Sequence, residues 1–140
     1  MAMNGTSASM MDMIPFDYVV VTGSIAASGS AQATLTLAPD SNFEWHLLEG
    51  RSSLDGVTDI RPNNFSCQIT VQSTGRQLSS LRVPQNLLAS TAENATGGIM
   101  RRPIVLAPNT VLLFDFLNLS AAAANTVTMT LRGYKVFNTR

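Results

Sequence analysis

Along most of the chain, apolar and polar residues alternate with period two in short runs, broken by clusters of turn-forming residues. FDYVVVTGSIA, starting at Phe16, is rich in β-branched and aromatic residues and predicts a strand with a bulge or bend at Gly23. SGSAQATLTLA sets Ala33, Leu35 and Leu37 on one face and Thr34 and Thr36 on the other. The turn over 38–42 has a mechanism: Pro39 fixes φ, and Asp40, Ser41 and Asn42 can bond the local backbone. FEWHLLEG follows as a third strand closing at Gly50, and 51–64 reads as an irregular loop marked by Asp55-Gly56 and Pro62-Asn63. NFSCQITVQS places Cys67, Ile69 and Val71 opposite Gln68, Thr70 and Gln72, and a turn at Thr74-Gly75 leads into RQLSSLRV.

From Pro84 to Gly98 the chain has its best helix-forming content, but the stretch is brief and closes on two glycines. It predicts a single helical turn or a long loop. PIVLAPNTVLLFDFLNLS then predicts a strand, a turn at Pro108-Asn109 and a second apolar strand, with Leu113 assigned to the core. In NTVTMTLRGYKVF, Val127, Met129 and Leu131 alternate with Thr126, Thr128, Thr130 and Arg132, the pattern of a sheet with one wet face. Many short strands and no long amphipathic helix predict an all-β antiparallel sandwich. The long connections over 51–64 and 84–98 favour a Greek-key or jelly-roll path over a meander. No internal repeat is visible.

Residues 1–15 have neither period, end at Pro15, and hold five of the 7 methionines: Met1, Met3, Met10, Met11 and Met13. The division expected is therefore an extended N-terminal arm over 1–15 and a β-sandwich domain over 16–140. Flexible, polarizable Met side chains suit irregular grooves on a partner. The arm either docks on a neighbouring subunit or is an idle leader.

Composition points to surfaces. The chain has 140 residues, the size of one domain, and only 13% of them are charged. Nine Lys+Arg balance nine Asp+Glu, so no net charge draws it to nucleic acid or to a membrane. Eight of the nine cations are Arg and one is Lys135. Interfaces enrich Arg and deplete Lys and Glu, because a guanidinium loses less on desolvation and bonds more partners. A genomic bias toward Arg is the other reading. No apolar run is long enough for a membrane helix, and the N-terminus lacks the pattern of a signal peptide.

Candidate chemistry is sparse. General acid–base work draws most on His, and His46 stands alone between Trp45 and Leu47. A metal site needs several convergent ligands, which one His and scattered carboxylates do not offer, so neither metal nor cofactor is expected. Glu44 with Glu49 and Asp55 with Asp59 are the nearest carboxylate pairs, more often solvated or paired to Arg than catalytic. Cys67, the single cysteine, reads as a buried small apolar residue, and a reducing compartment follows. Asn4, Asn64, Asn94 and Asn118 head N-x-[ST] triplets, which mean nothing for glycosylation without an export signal. Arg101-Arg102 is the one basic pair, either an anchor for an acidic partner or a solvated strand start. The expectation is a protein with no catalytic residues.

The block MRRPIVLAPNTVLLFDFLNLSAAAANTVTMTLRGYKVF resembles tailed-bacteriophage head proteins: an RPIVLAPNT strand and turn, an apolar strand, and a last strand ending in Gly133-Tyr134-Lys135. In size and layout the chain is similar to jelly-roll cement, or decoration, proteins of such capsids, closely over 100–137 and loosely over 43–137. The resemblance implies a structural protein that bridges major capsid protein subunits on the outside of the head and stabilises the shell against internal DNA pressure. It also implies self-pairing as a homodimer at symmetry axes, synthesis in the host cytoplasm and residence on the capsid exterior. Direct contact with nucleic acid or membrane is not implied. With the residue-level reading it nominates Met3, Met10, Met11, Met13, Arg51, Arg61, Arg101 and Arg102 as assembly contacts. Another virion module (tail, fibre-associated or head-completion) and a carbohydrate-binding β-sandwich, with Trp45 as its one aromatic platform, are the alternatives.

Overall fold

The computed structural model describes residues 11–54, 57–59, 64–88 and 99–138. They form β1 (Met11–Val21), β2 (Ser30–Thr36), β3 (Asn42–Leu54), β4 (Val57–Asp59), β5 (Phe65–Val71), β6 (Arg76–Gln77), β7 (Val83–Pro84), one helical turn α1 (Gln85–Leu88), β8 (Ile99–Leu106), β9 (Val111–Asn118) and β10 (Asn125–Asn138). Every pairing is antiparallel. One sheet runs β1-β10-β3, with β4 and β8 both on β3; the other runs β2-β9-β5, with β6 and β7 both on β5. The ladders nest: β1 with β10, β2 with β9, β3 with β8, β5 with β6 and β7. A ribbon paired in that nested way and rolled over a core is a jelly roll, so the chain is an all-β sandwich of that topology.

The period-two stripes supply the core. Phe43, Trp45 and Leu48 of β3 and Val127, Met129 and Leu131 of β10 meet Phe65, Cys67 and Ile69 of β5 and Leu112, Phe114 and Phe116 of β9 between the sheets. Phe65 and Phe116 pack edge on at 5.9 Å, while Phe114 and Phe116 stack at 6.2 Å. Gly133 is required by a close approach: a Cβ there would lie 2.0 Å from the Glu44 carbonyl oxygen. The register shifts at that point, with Gly133 opposite Trp45 and Arg132 opposite Leu47, so His46 is the extra residue of a β-bulge. The Pro108-Asn109 turn forms as expected, with Asn109 at φ 63, a left-handed position Asn tolerates.

Several expectations are corrected. The arm does not extend to Pro15, because Met11–Pro15 are the first residues of β1 and pair with Tyr134–Asn138. Their sequence has no period, but β10 offers an open edge there, and ladder hydrogen bonds supply what composition does not. Residues 1–10 of the arm lie outside the described residues. The supposed loop over 51–64 is partly strand: β3 continues to Leu54 along Asn125–Thr128 of β10, and β4 pairs back on it. Leu113 is not a core residue. It is half-buried on the outer face, opposite Thr34 and Thr70, while Leu112 and Phe114 point in. Only Arg76–Gln77 and Val83–Pro84 of the segment after Gly75 are strand.

Candidate interaction surface

The outer face of the β1-β10-β3 sheet is set by register. Pro15, Asp17, Val19 and Val21 lie opposite Tyr134, Arg132, Thr130 and Thr128, and Thr130 and Thr128 in turn lie opposite Glu49 and Arg51 of β3. Two rims of this sheet expose large apolar side chains. On β1 they are Met13 (49%), Ile14 (51%), Val19 (54%) and Val21 (59%), and on β8 they are Ile99 (60%) and Val105 (62%). Between the rims lie charges that already have partners. Arg132 reaches Asp17 at 3.4 Å and Glu49 at 3.7 Å, and His46 Nε2 lies 2.6 Å from Glu44 Oε1. The His46 ring meets Tyr134 edge on at 5.3 Å.

The other sheet shows water a mixed surface, in which Leu81 (75%) and Leu87 (70%) are exposed beside polar groups. Gln32, Thr34 and Thr36 of β2 are exposed, and an open groove of about 450 Å³ is lined by Ser66, Gln68, Leu81, Arg82, Asp115 and Leu117. Its polar groups are engaged: Arg82 Nη2 donates to both Asp115 oxygens at 3.1 and 3.2 Å, and Gln68 Nε2 donates to the Ser79 carbonyl.

The nominated contacts do not form one cluster. Met3, Met10 and Arg61 lie outside the described residues, and the side chains of Met11 and Arg101 are likewise not described. Met13 is exposed near the start of β1, Arg51 is exposed in the second half of β3, and Arg102 is exposed on β8. The exposed valines of β1 and β8 were missed by the sequence reading. Their signal was there: in FDYVVV an uninterrupted valine run puts apolar residues on both faces of one strand.

The titratable groups do not converge. Glu44 and Glu49 take different partners, and Asp55 and the Asp59 side chain are not described. Burial pushes the Cys67 thiol up to about 12, leaving it protonated and unreactive at neutral pH. Among the described residues no group of three or more His, Cys, Asp or Glu could hold a metal, and no helix is long and apolar enough to cross a membrane.

Asn64 and Asn118, two of the glycosylation-type asparagines, are buried structural residues. Asn118 Nδ2 donates to the carbonyls of Ile25, Ala26 and Ala123 at 3.2, 3.1 and 2.9 Å, and its Oδ1 accepts from Ser120 N–H. Asn64 Nδ2 donates to Ser52 Oγ, and Asn64 N–H donates to Gln85 Oε1, whose amide donates in turn to the Gly50 carbonyl. No family model, curated protein or solved structure matches the chain.

Proposed function

We propose that this chain is a structural cement protein on the outside of a tailed-phage head, bridging major capsid protein subunits and working without an active site. The observation that carries the reading is the pair of apolar rims on one outer face, Met13, Val19 and Val21 on β1 and Ile99 and Val105 on β8. Exposed apolar rows of this kind mark surfaces covered in an assembly. The resemblance over 100–137, the low charge and the Arg-for-Lys composition support the same reading. A jelly roll serves capsid proteins, lectins and cupins alike, so the fold alone does not choose among them.

A second virion role, in a tail or head-completion module, rests on the same surfaces. The carbohydrate reading loses its one platform, because Trp45 is fully buried and its indole N–H donates to the Leu47 carbonyl. Stacking on a sugar needs an exposed ring.

The test is to isolate particles from the phage whose genome encodes the chain and image them. An ordered outer layer of this protein bound to capsid subunits is the expected result; its absence from intact heads overturns the reading. Removing residues 1–10, which leaves β1 whole, is expected to lower occupancy on heads while the domain stays folded.

A further inference from the structure

β1 is an edge strand, bonded to β10 on one side only among the described residues. Which of its groups point to the open side follows from the ladder. Thr22 N–H donates to the Val127 carbonyl at 2.9 Å, continuing the register that sets Val21 opposite Thr128. Main-chain groups of alternate residues in an antiparallel strand face opposite edges. Even-numbered residues of β1 therefore bond β10, and Met13, Asp17, Val19 and Val21 direct N–H and C=O to the open edge. Pro15 also falls on that side, where its missing N–H costs no ladder bond.

An edge this long with valines on it is an aggregation hazard unless something covers it. β2, the free edge of the other sheet, is guarded by exposed Ser30, Gln32, Thr34 and Thr36. β1 has no Lys or Arg and carries Asp12 and Asp17, the latter already held by Arg132.

We propose that the open edge of β1 pairs antiparallel with β1 of a second copy, about a two-fold axis through Val19. This rests on the assembly role proposed above and names a seam for the self-pairing that the resemblance implies. The register follows from three constraints. Centred on Val19, the bonded pairs are Val19 with Val19, Asp17 with Val21 and Val21 with Asp17, so all the donors required exist. Pro15 then lies opposite Gly23, past the end of the strand, and forfeits nothing. Centring on Asp17 would set two carboxylates face to face, which opposed cross-strand positions disfavour. Centring on Tyr18 would spend Pro15 opposite Val21 and lose a bond. The formal net charge of +0 leaves no overall repulsion between copies. Val19 and Val21 of both copies become one apolar strip on a continuous sheet.

The test is run in solution on the full chain, with no capsid present, so that its failure and the failure of the cement reading are separable. The wild-type chain is expected to sediment as a dimer, and V19K as a monomer with an unchanged circular dichroism spectrum. Directly opposed bonded residues have Cα atoms about 5.5 Å apart, within disulfide reach. V19C is therefore expected to cross-link under mild oxidation. V21C is not, since its two copies stand about 14 Å apart along the strands. Cys67 is buried and does not compete. A wild-type monomer at the highest soluble concentration overturns the proposal, as does a dimer that V19K leaves intact. Equal cross-linking of V19C and V21C overturns the register. Should V19K fail to fold, the cysteine pair decides alone.

Discussion

The two ends of the sandwich are closed by different physics. At the end where β1, β3 and β9 finish and β2, β5 and β10 begin, buried amides do the closing. Asn118 gathers three carbonyls, Asn125 Nδ2 donates to the Asn64 carbonyl, and Ser53 N–H donates to Asn125 Oδ1. At the opposite end aromatic rings do it: Phe16 and Tyr18 meet edge on at 4.8 Å, and Tyr18 and Phe43 at 4.9 Å. Lys135 Nζ sits 4.2 Å above the Phe16 ring and reaches Asp40 at 3.4 Å. Bonded amides make an end unforgiving, because removing one side chain strands several carbonyls in the dry. The rings of the aromatic end supply a single such bond among the described residues, from Ala38 N–H to the Tyr18 hydroxyl, so losing it strands one donor only.

The largest effect is expected in the layer that both ends cap. Val127→Asp places a carboxylate in the fully buried stripe of β10, at a cost of several kcal/mol, and is expected to abolish the cooperative melting transition. Leu113→Asp, on the outer face of β9, is expected to melt within about 1 kcal/mol of wild type. Thermal melts of the two variants decide the facing of both strands. A folded V127D would mean that the central layer does not govern stability.

The ends are separated by the next pair. Asn118→Ala leaves the carbonyls of Ile25, Ala26 and Ala123 without their donor and is expected to cost about 3 kcal/mol in urea melts. Tyr18→Phe leaves only the Ala38 N–H without its acceptor and is expected to cost about 1 kcal/mol. Equal costs would erase the distinction between the ends.

That distinction also marks what was legible in the sequence. Period-two stripes gave the strands, the core residues of β5 and β10 and the sandwich, because burial selects apolar residues on one face whatever the topology. The polar end was illegible: Asn64, Asn118 and Asn125 look like turn residues, and only the fold shows that Asn118 and Asn125 donate to carbonyls distant in sequence and Asn64 to the Ser52 hydroxyl. The extensions of β1 and β3 were missed for a related reason. Met11–Pro15 and Arg51–Leu54 carry no stripe and are strand because β10 is long enough to pair with them. The surface was half legible. Arg and Met were nominated by composition, while the exposed rows on β1 and β8 became apparent only once the sheet had assigned an outer face.

The smallest expected effect asks which part of the molecule fails first in alkali. Burial raises the Cys67 thiol to about 12 from an ordinary value near 9.0. The folded protein therefore keeps its proton where the unfolded chain loses it. By linkage this contributes stability that is full below about pH 9 and is lost as pH rises toward 12. An alkaline loss by itself does not locate the weak point. Cys67→Ala isolates the contribution of the thiol. The variant is expected to be less stable at neutral pH, through lost packing, yet to show a shallower fall in stability between pH 9 and 11 by urea melts. An unchanged slope would show that the thiol between the sheets does not govern the alkaline failure.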